Sequence, residues 1–319
     1  MLNLLEEVRG AKRIGISGHI RPDGDCISSC LALKKYLQNQ MPEAVIDVNL
    51  MEPMPTIFSG LCGYDEIHTY YEEDKEPYDV YFSLDCNKER LANFEPYFEK
   101  AKKTINLDHH ISNPGCGDVN LVMPDLCSTT ELLCIIMEKD KLDKDIAEAL
   151  YVGMVTDSGV FQYSNTSPDT MRRAADLMEF GFDFPNLIKR CFYEKTYHQS
   201  QIMGRCLMES IRFMNQRCIV SFLDKKTMDF YQVTSKHLEG IVNQLINIRG
   251  IDCAIFMYEV APQEYKVSLR STENVDVAKV ASYFGGGGHV RAAGVNMKGT
   301  FHDCVNNLSG QIALQLGES

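Results

Sequence analysis

Two α/β domains are expected in this chain, the first built on a mainly parallel sheet with helices on both faces and the second smaller. Three observations predict them. At 319 residues the chain is long for one hydrophobic core. From residue 12 to about 123, short apolar runs alternate with helical spacing, which is the rhythm of βα units. After a helical middle, strand patterns return from Cys218 onward.

Taken in order, the spacing predicts strands over 12–17, Val45–Leu50, Asp79–Leu84 and Thr104–Leu107, with a helix over 25–39. Helical spacing then covers Ser128–Met137, Ile146–Thr156, Asp169–Phe180 and Tyr197–Phe213, and Ser167-Pro168 is an N-terminal signal for the third of these. Strands follow at Cys218–Leu223, Cys253–Tyr258 and Tyr265–Leu269, separated by helix-like stretches near 237–247 and 275–283. No Pro/Gly/Ser-rich linker is present, so the junction is expected along a helix around 190–215, with domains spanning 1–195 and 196–319.

Composition narrows the function classes. Hydrophobic residues make up 45% and charged residues 24%, a soluble globular balance, and no run of about 18 apolar residues suggests a membrane span. The start Met1-Leu2-Asn3-Leu4-Leu5-Glu6-Glu7 carries acids where a signal peptide carries positive charge, so a cytoplasmic location is expected. The 12 cysteines lack paired CxxC spacing and read as reduced thiols rather than a disulfide frame or zinc ribbon. A net charge of −12 argues against a long duplex nucleic-acid surface, whereas small anionic substrates remain compatible if bound cations supply local positive charge.

The chemistry concentrates where strands end. In Gly18-His19-Ile20-Arg21-Pro22-Asp23-Gly24-Asp25, a histidine and two aspartates sit on a strand-to-helix turn, the position where open α/β sheets place their sites. One aspartate would serve as the N-cap of the helix; a second acid and a histidine point to a metal or phosphate site. Asp85 follows the strand ending at Leu84, and Asp108-His109-His110 follows the one ending at Leu107. Asp157, in Thr156-Asp157-Ser158-Gly159, closes a helical stretch. Taken alone, Asp85 reads equally as a turn acid and Asp157 as a helix-end residue; in series they complete a set of imidazole and carboxylate ligands without thiolate. That donor set suits manganese, magnesium, iron or zinc, and its oxygen-rich character leans to manganese or magnesium. Two ions about 3.5 to 4 Å apart sharing a carboxylate would lower the pKa of a water between them, so that hydroxide rather than a protein nucleophile attacks phosphorus.

A second stretch, Phe284-Gly285-Gly286-Gly287-Gly288-His289-Val290-Arg291-Ala292-Ala293-Gly294, is read as a loop. Four consecutive glycines imply close backbone approach, positive φ or a hinge, and successive N–H groups there would form an anion-binding nest. His289, Arg291 and, at a strand end, Arg270 and Ser271 would add to it.

These ordered motifs, GHIRPDGD, Asp85, Asp108-His109-His110 and Asp157, resemble the DHH phosphoesterase superfamily, and the glycine run followed by HxxAAG resembles the DHH-associated C-terminal domain of its two-domain nanoRNase and phosphoadenosine phosphate phosphatase group. No basic Ser-Arg-Lys signature of family II pyrophosphatases is found. The resemblance implies one metal on His19, Asp23 and Asp85 and another on Asp25, Asp85, His109 and Asp157, manganese first and magnesium second. It implies His110 facing the scissile phosphate, with Asp108 orienting a neighbouring histidine and Asp85 shared. It also implies a substrate cleft between the domains, with Arg270, Ser271, Gly286, Gly287, Gly288, His289 and Arg291 holding the far end of a short oligonucleotide or nucleoside bisphosphate. Cleavage of short RNA or of pApA and pGpG to mononucleotides, or removal of the 3′-phosphate of phosphoadenosine phosphate, is the leading expectation. A polyphosphate or pyrophosphate hydrolase is the alternative, followed by a non-catalytic nucleotide sensor. A homodimer is compatible with this class of enzyme.

Overall fold

The computed structural model describes residues 2–73 and 76–317; the outer ends of the two expected domains, Met1 and Ser319, lie outside them. The chain divides into two compact units, Met1–Glu194 and Lys195–Ser319.

The first unit begins with a single helical turn, α1 (Leu4–Glu7), and then alternates strand and helix: β1 (Arg13–Ser17), α2 (Gly24–Gln40), β2 (Val45–Asn49), β3 (Val80–Leu84), α3 (Glu95–Lys100), β4 (Thr104–Asp108) and β5 (Val119–Val122). All five strands are parallel in the order β2-β1-β3-β4-β5. The order reverses between β1 and β3, so the carboxyl ends of these two strands flank a topological switch point. Helices α4 (Thr129–Ile136), α5 (Lys144–Asp157), α6 (Pro168–Met178) and α7 (Phe184–Ile188) follow, and a π-helical turn at Lys189–Tyr193 ends the unit.

Both faces of the sheet are covered, which is why β1 to β4 are buried at almost every position. On one face Val80, Phe82 and Leu84 of β3 join Ile14, Ile16, Ile27, Leu37, Leu132, Leu150 and Met154 in the main core. Tyr81, pointing to the other side, packs with Tyr78, Phe94, Tyr97 and Phe98 in an aromatic layer under α3. Burying an aromatic side chain of this size contributes about 2 kcal/mol through area removed from water, so the layer holds α3 firmly on the sheet.

The second unit runs α8 (Tyr197–Met208), β6 (Ile211–Phe213), β7 (Cys218–Leu223), α9 (Lys225–Phe230), α10 (Ile241–Ile246), β8 (Cys253–Ala261), β9 (Glu264–Ser271), α11 (Val277–Tyr283), β10 (Gly287–His289), β11 (Ala292–Lys298) and α12 (Phe301–Leu316). Its sheet has the order β10-β11-β9-β8-β7-β6 and is mixed, with only β7 and β8 parallel. Val267, Leu269, Ile255 and Val280 pack with Leu308 and Ile312 of α12 on one face, and Ile219, Phe256, Ile241 and Leu245 pack with Ile202 of α8 on the other.

Three local expectations differ from the structure. The helix expected over Tyr197–Phe213 ends at Met208, because the apolar run Ile211–Phe213 pairs antiparallel with Cys218–Val220 as the sheet's edge strand. The short strand Val119–Val122 is absent from the expected set; it has only four residues, with none fully buried and Asn120 exposed. The glycine run is a loop only in its first half: Gly285 turns the chain with φ of 79°, whereas Gly287, Gly288 and His289 form a strand that pairs with Gly294, Ala293 and Ala292. A Cβ on Gly288 would lie 2.4 Å from the Ala292 carbonyl oxygen, so close strand approach demands glycine there. The twelve cysteines are all free thiols, and no described helix is long and apolar enough to cross a membrane.

Asp79 ties the start of β1 to the strand beside it. Its carboxylate accepts from the Lys12 and Arg13 backbone N–H groups at 2.8 and 3.0 Å and from Lys102 Nζ at 2.7 Å. The Lys102 hydrogen bond, then the two backbone donors, pull its pKa down to about 2, against an ordinary value near ~3.9. The folded value is the lower one, so this stabilisation is present above about pH 4 and is lost as pH falls towards about 2. Asp79→Asn should lower the unfolding free energy by about 1 kcal/mol at neutral pH. Urea denaturation should show that deficit shrinking across the same acid window.

Candidate metal centre

Four sequence-distant segments converge at the carboxyl ends of β1, β3 and β4. Asp85 occupies the residue after β3 with φ of 60°, a left-handed conformation that aspartate tolerates better than most residues. Its N–H continues the ladder by donating to the Leu107 carbonyl at 3.0 Å. The chain therefore turns sharply at a fixed point, and the carboxylate is held, 2% exposed, at the mouth of the switch point.

The two oxygens of Asp85 face different partners. Oδ2 lies 3.4 Å from His19 Nε2, while Oδ1 lies 3.5 Å from His109 Nε2 and 3.5 Å from His110 Nδ1. On the first side His19 Nε2 is also 3.5 Å from Asp23 Oδ2. On the second, His109 Nε2 is also 3.5 Å from Asp157 Oδ2. These separations are long for hydrogen bonds and suit pairs of donor atoms that share a cation.

Each of the two inner histidines engages a backbone carbonyl through Nδ1: His19 with Ile20 at 2.9 Å and His109 with Leu126 at 3.2 Å. If Nδ1 carries the proton in both, Nε2 is left as a lone-pair donor aimed at the acids, which is the arrangement of a metal-ligating imidazole. Asp23 combines two tasks, because Oδ1 caps α2 by accepting from the Cys26 N–H at 3.1 Å while Oδ2 faces His19. Asp157 is the last residue of α5. A carboxylate at a helix C-terminus opposes the macrodipole, so its placement is not explained by helix stability.

Asp25 is placed differently from the others. It is fully buried, and both its oxygens are engaged by the start of α4: Thr129 N–H on Oδ2 at 2.7 Å, and Thr130 N–H and Oγ1 on Oδ1 at 3.0 and 2.8 Å. Thr129 Oγ1 also donates to Asp85 Oδ1 at 2.9 Å, so Asp25 and Asp85 are adjacent through one residue. Asp108, also buried, orients rather than faces the group: its Oδ1 accepts from the His109 and His110 N–H groups and meets His110 Nδ1 at 2.8 Å. Asn113 Nδ2 donates to Asp108 Oδ2 and to Asn106 Oδ1.

Electrostatics show why a cation fits. Burial pushes Asp85 up to about 7, with the Asp25 charge next in effect. Burial likewise pushes Asp157 up to about 8, with Asp25 and Asp23 adding to it. Four carboxylates, Asp23, Asp25, Asp85 and Asp157, crowd around His19 and His109; burial disfavours the charged form of His19, but its hydrogen bonds to Asp23 and Asp85 outweigh that and raise its pKa, and bound divalent cations would supply the positive charge that lets all four acids ionise. His110 is raised to about 9, first by its bond to Asp108.

Sequence reading missed several supports. Thr129 and Thr130 stand in Ser128-Thr129-Thr130-Glu131, whose S/T-x-x-E spacing is a helix-start signal. Asn106 is an amide inside a strand buried on both faces, a polar group that needs a reason, and it bonds the carbonyls of Ser83 and Cys86. Cys26 Sγ lies within 4.8 Å of ligand atoms of His19 and Asp85; burial keeps this thiol well above its ordinary pKa.

In the second unit, Arg291 donates to the Thr272 and Val275 carbonyls, and Ser271 Oγ donates to the Val275 carbonyl at 2.6 Å. Arg270 donates to the Leu269 carbonyl at 3.0 Å. His289 and Gly287 are exposed on the edge strand, beside the half-buried Gly286. Gly287, Gly288 and His289 lie in pairing distance of β11 rather than in a nest.

Residues 13–154 match the model of the DHH family, N-terminal domain, and residues 215–313 match the DHHA1 domain. The chain belongs to the DHH family. The DHH match spans β1 to most of α5 and so contains every residue of the centre except Asp157. The DHH protein is 27% identical over 288 residues to the bifunctional oligoribonuclease and PAP phosphatase NrnA of Bacillus subtilis, covering 88% of this chain and 87% of that protein. It is 27% identical over 304 residues to the protein of the same name from Thermus thermophilus, covering 93% and 87%. Its fold is shared with an exopolyphosphatase-related protein from Bacteroides fragilis at a TM-score of 0.88 and 24% identity, covering 98% of this chain and 95% of that one. It is shared more distantly with exonuclease RecJ bound to manganese, at 0.51 and 14%, covering 98% and 92%.

Gly153 of α5 gives a test of how tightly the DHH centre is packed. A Cβ there would fall 2.4 Å from Thr130 Cγ2 and 2.7 Å from Asp25 Oδ1. Gly153→Ala should displace Asp25 and weaken the binding of a divalent cation by about 10-fold or more. Calorimetric titration with manganese measures it, and an unchanged affinity would refute the packing argument.

Proposed function

We propose that this DHH protein is a divalent-metal phosphohydrolase of short nucleotides. It cleaves short oligoribonucleotides, including linear dinucleotides such as pApA and pGpG, to mononucleotides and removes the 3′-phosphate of phosphoadenosine phosphate. Manganese is the working ion, with magnesium as its substitute. The observation that carries the chemistry is the single Asp85 carboxylate with one oxygen towards His19 and the other towards His109. The substrate class is supported by the two relatives named oligoribonuclease and PAP phosphatase, which this chain matches over most of its length.

His19, Asp23 and Asp85 would hold one ion, and Asp25, Asp85, His109 and Asp157 the other. When bound, such ions act as Lewis acids on phosphoryl oxygens and lower the pKa of water near neutrality. The chain's own residues do the rest. His110 is 42% exposed at its side chain, and its Nδ1 is engaged by Asp108. Its bond to Asp108 raises its pKa and favours the protonated ring, whose Nε2 is left to donate to a phosphate oxygen or to the leaving oxygen. Asp108, fixed by Asn113, keeps the ring at one angle, so the donor is oriented before substrate arrives.

In this reading the unit Met1–Glu194 carries hydrolysis and Lys195–Ser319 carries nucleotide binding. Arg291 supplies positive charge and His289 an exposed imidazole, Arg270 and Ser271 mark the end of β9, and Gly287 and Gly288 lie on the edge strand beside Gly286, whose N–H donates to the Ala281 carbonyl at 2.8 Å. The whole chain carries a charge of −12, which suits a short ligand met at a few cationic groups better than a long polymer track.

A panel of pApA, pGpG, short RNA, phosphoadenosine phosphate, pyrophosphate and polyphosphate, each with manganese or magnesium, tests the assignment. Mononucleotide release from the dinucleotides and RNA is expected. Intact nucleotides alongside consumed polyphosphate would move the protein to phosphoanhydride chemistry. Asp85→Ala should abolish turnover of every substrate in the panel, and retained activity would remove Asp85 from its shared position. Arg291→Ala, whose side chain holds two carbonyls, should raise KM more than it lowers kcat.

A further inference from the structure

The start of α4 holds two acids of the metal centre at once, and one residue makes both contacts. Thr129 gives its backbone N–H to Asp25 Oδ2 at 2.7 Å and its hydroxyl to Asp85 Oδ1 at 2.9 Å. Asp25 comes from the first turn of α2 and Asp85 from the end of β3, so no covalent neighbour relation fixes their separation. Thr129 is itself wholly buried, and water cannot stand in for its hydroxyl without a cavity.

The residue is rigid because the helix start that carries it is anchored. Ser128 Oγ caps the helix by accepting from the Glu131 N–H at 3.0 Å. Glu131, 0% exposed, takes the Cys127 N–H at 2.8 Å, the Thr170 hydroxyl at 3.0 Å and Arg173 Nη1 at 2.6 Å. A buried carboxylate with three donors resists displacement, since moving it would strand charge in the core. Thr170 and Arg173 belong to α6, so α4 is pinned to a second helix.

We propose that Thr129 is a positioning residue that sets the separation between the Asp25 and Asp85 carboxylates, and through it the ability of the centre to hold two divalent ions together. This rests on reading the site as a two-ion centre. The hydroxyl spans to the shared carboxylate, and the N–H spans to the carboxylate that serves one ion alone. Removing the hydroxyl leaves Asp25 where it is and releases Asp85 to turn about its Cα–Cβ bond. The side chain that bridges then loses its defined orientation, while the separate partners of each ion stay in place.

Thr129→Val removes the hydroxyl at nearly constant volume, and Thr129→Ser keeps it. Manganese titration by calorimetry and electron paramagnetic resonance of the loaded protein read the effect independently of turnover. The parent should bind two ions with the exchange-coupled signal of a carboxylate-bridged pair. Thr129→Val should bind the second ion about 10-fold or more weakly and show the uncoupled signal of isolated manganese; Thr129→Ser should restore both. Melting in a chelator should leave Thr129→Val folded, and Thr129→Ala serves if it does not. Unchanged stoichiometry, affinity and coupling in Thr129→Val would overturn the proposal. Loss of the folded state in both Val and Ala variants would also overturn it, because Thr129 would then be a structural residue only. A parent that binds no second ion fails the two-ion reading itself, and that result is distinct from either of these.

Discussion

The structure of the first unit depends on one buried carboxylate with two faces. Asp85 sits where the strand order of the parallel sheet reverses, in a backbone conformation that few residues other than glycine adopt readily, and its oxygens separate His19 from His109. Burial and the neighbouring Asp25 both oppose its negative charge. A group kept in such a place against desolvation and like-charge repulsion makes the protein's demand for bound cations a property of the fold, not of any one ligand.

The surrounding elements are arranged to tolerate that demand. Helix α2 begins at the centre, and Asp23 serves as its cap with one oxygen while facing His19 with the other, so helix stability and site geometry draw on the same residue. Helix α4 starts beside it and gives its first N–H groups to Asp25, placing a buried acid at the favourable end of a helix dipole. Asp157 at the end of α5 has no such compensation, and burial raises its pKa accordingly. Tyr81, in the aromatic layer with Tyr78 and Tyr97, reaches the end of β1 through a 2.6 Å hydrogen bond between its hydroxyl and Ser17 Oγ.

The second unit solves a different problem. Gly286 and Gly288 let the edge strand approach β11, where a side chain on either would strike backbone. Glycine there is a packing requirement first, and any contact the edge makes with a nucleotide uses N–H groups that the strand leaves unpaired on its outer side. Arg291 is likewise bound to carbonyls of the Thr272 to Val275 turn, so it braces the end of β9 as well as contributing charge.

Much of this was legible in the sequence, and the limit has a physical cause. The βα rhythm of the first unit, the ends of β1, β3 and β4 and the acids and histidines that follow them are local properties: apolar spacing marks a strand, and the residue after it must lie at the sheet edge. The sequence alone therefore marked acids and histidines that the structure brings together at these strand ends. What it could not determine was how they are held. That Asp85 divides its two oxygens and that Asp25 is gripped by α4 are facts about contacts between segments up to 105 residues apart. Helix and strand periodicity carries no information on such pairings, since they are decided by how the sheet twists and the helices pack, and only the tertiary structure contains them.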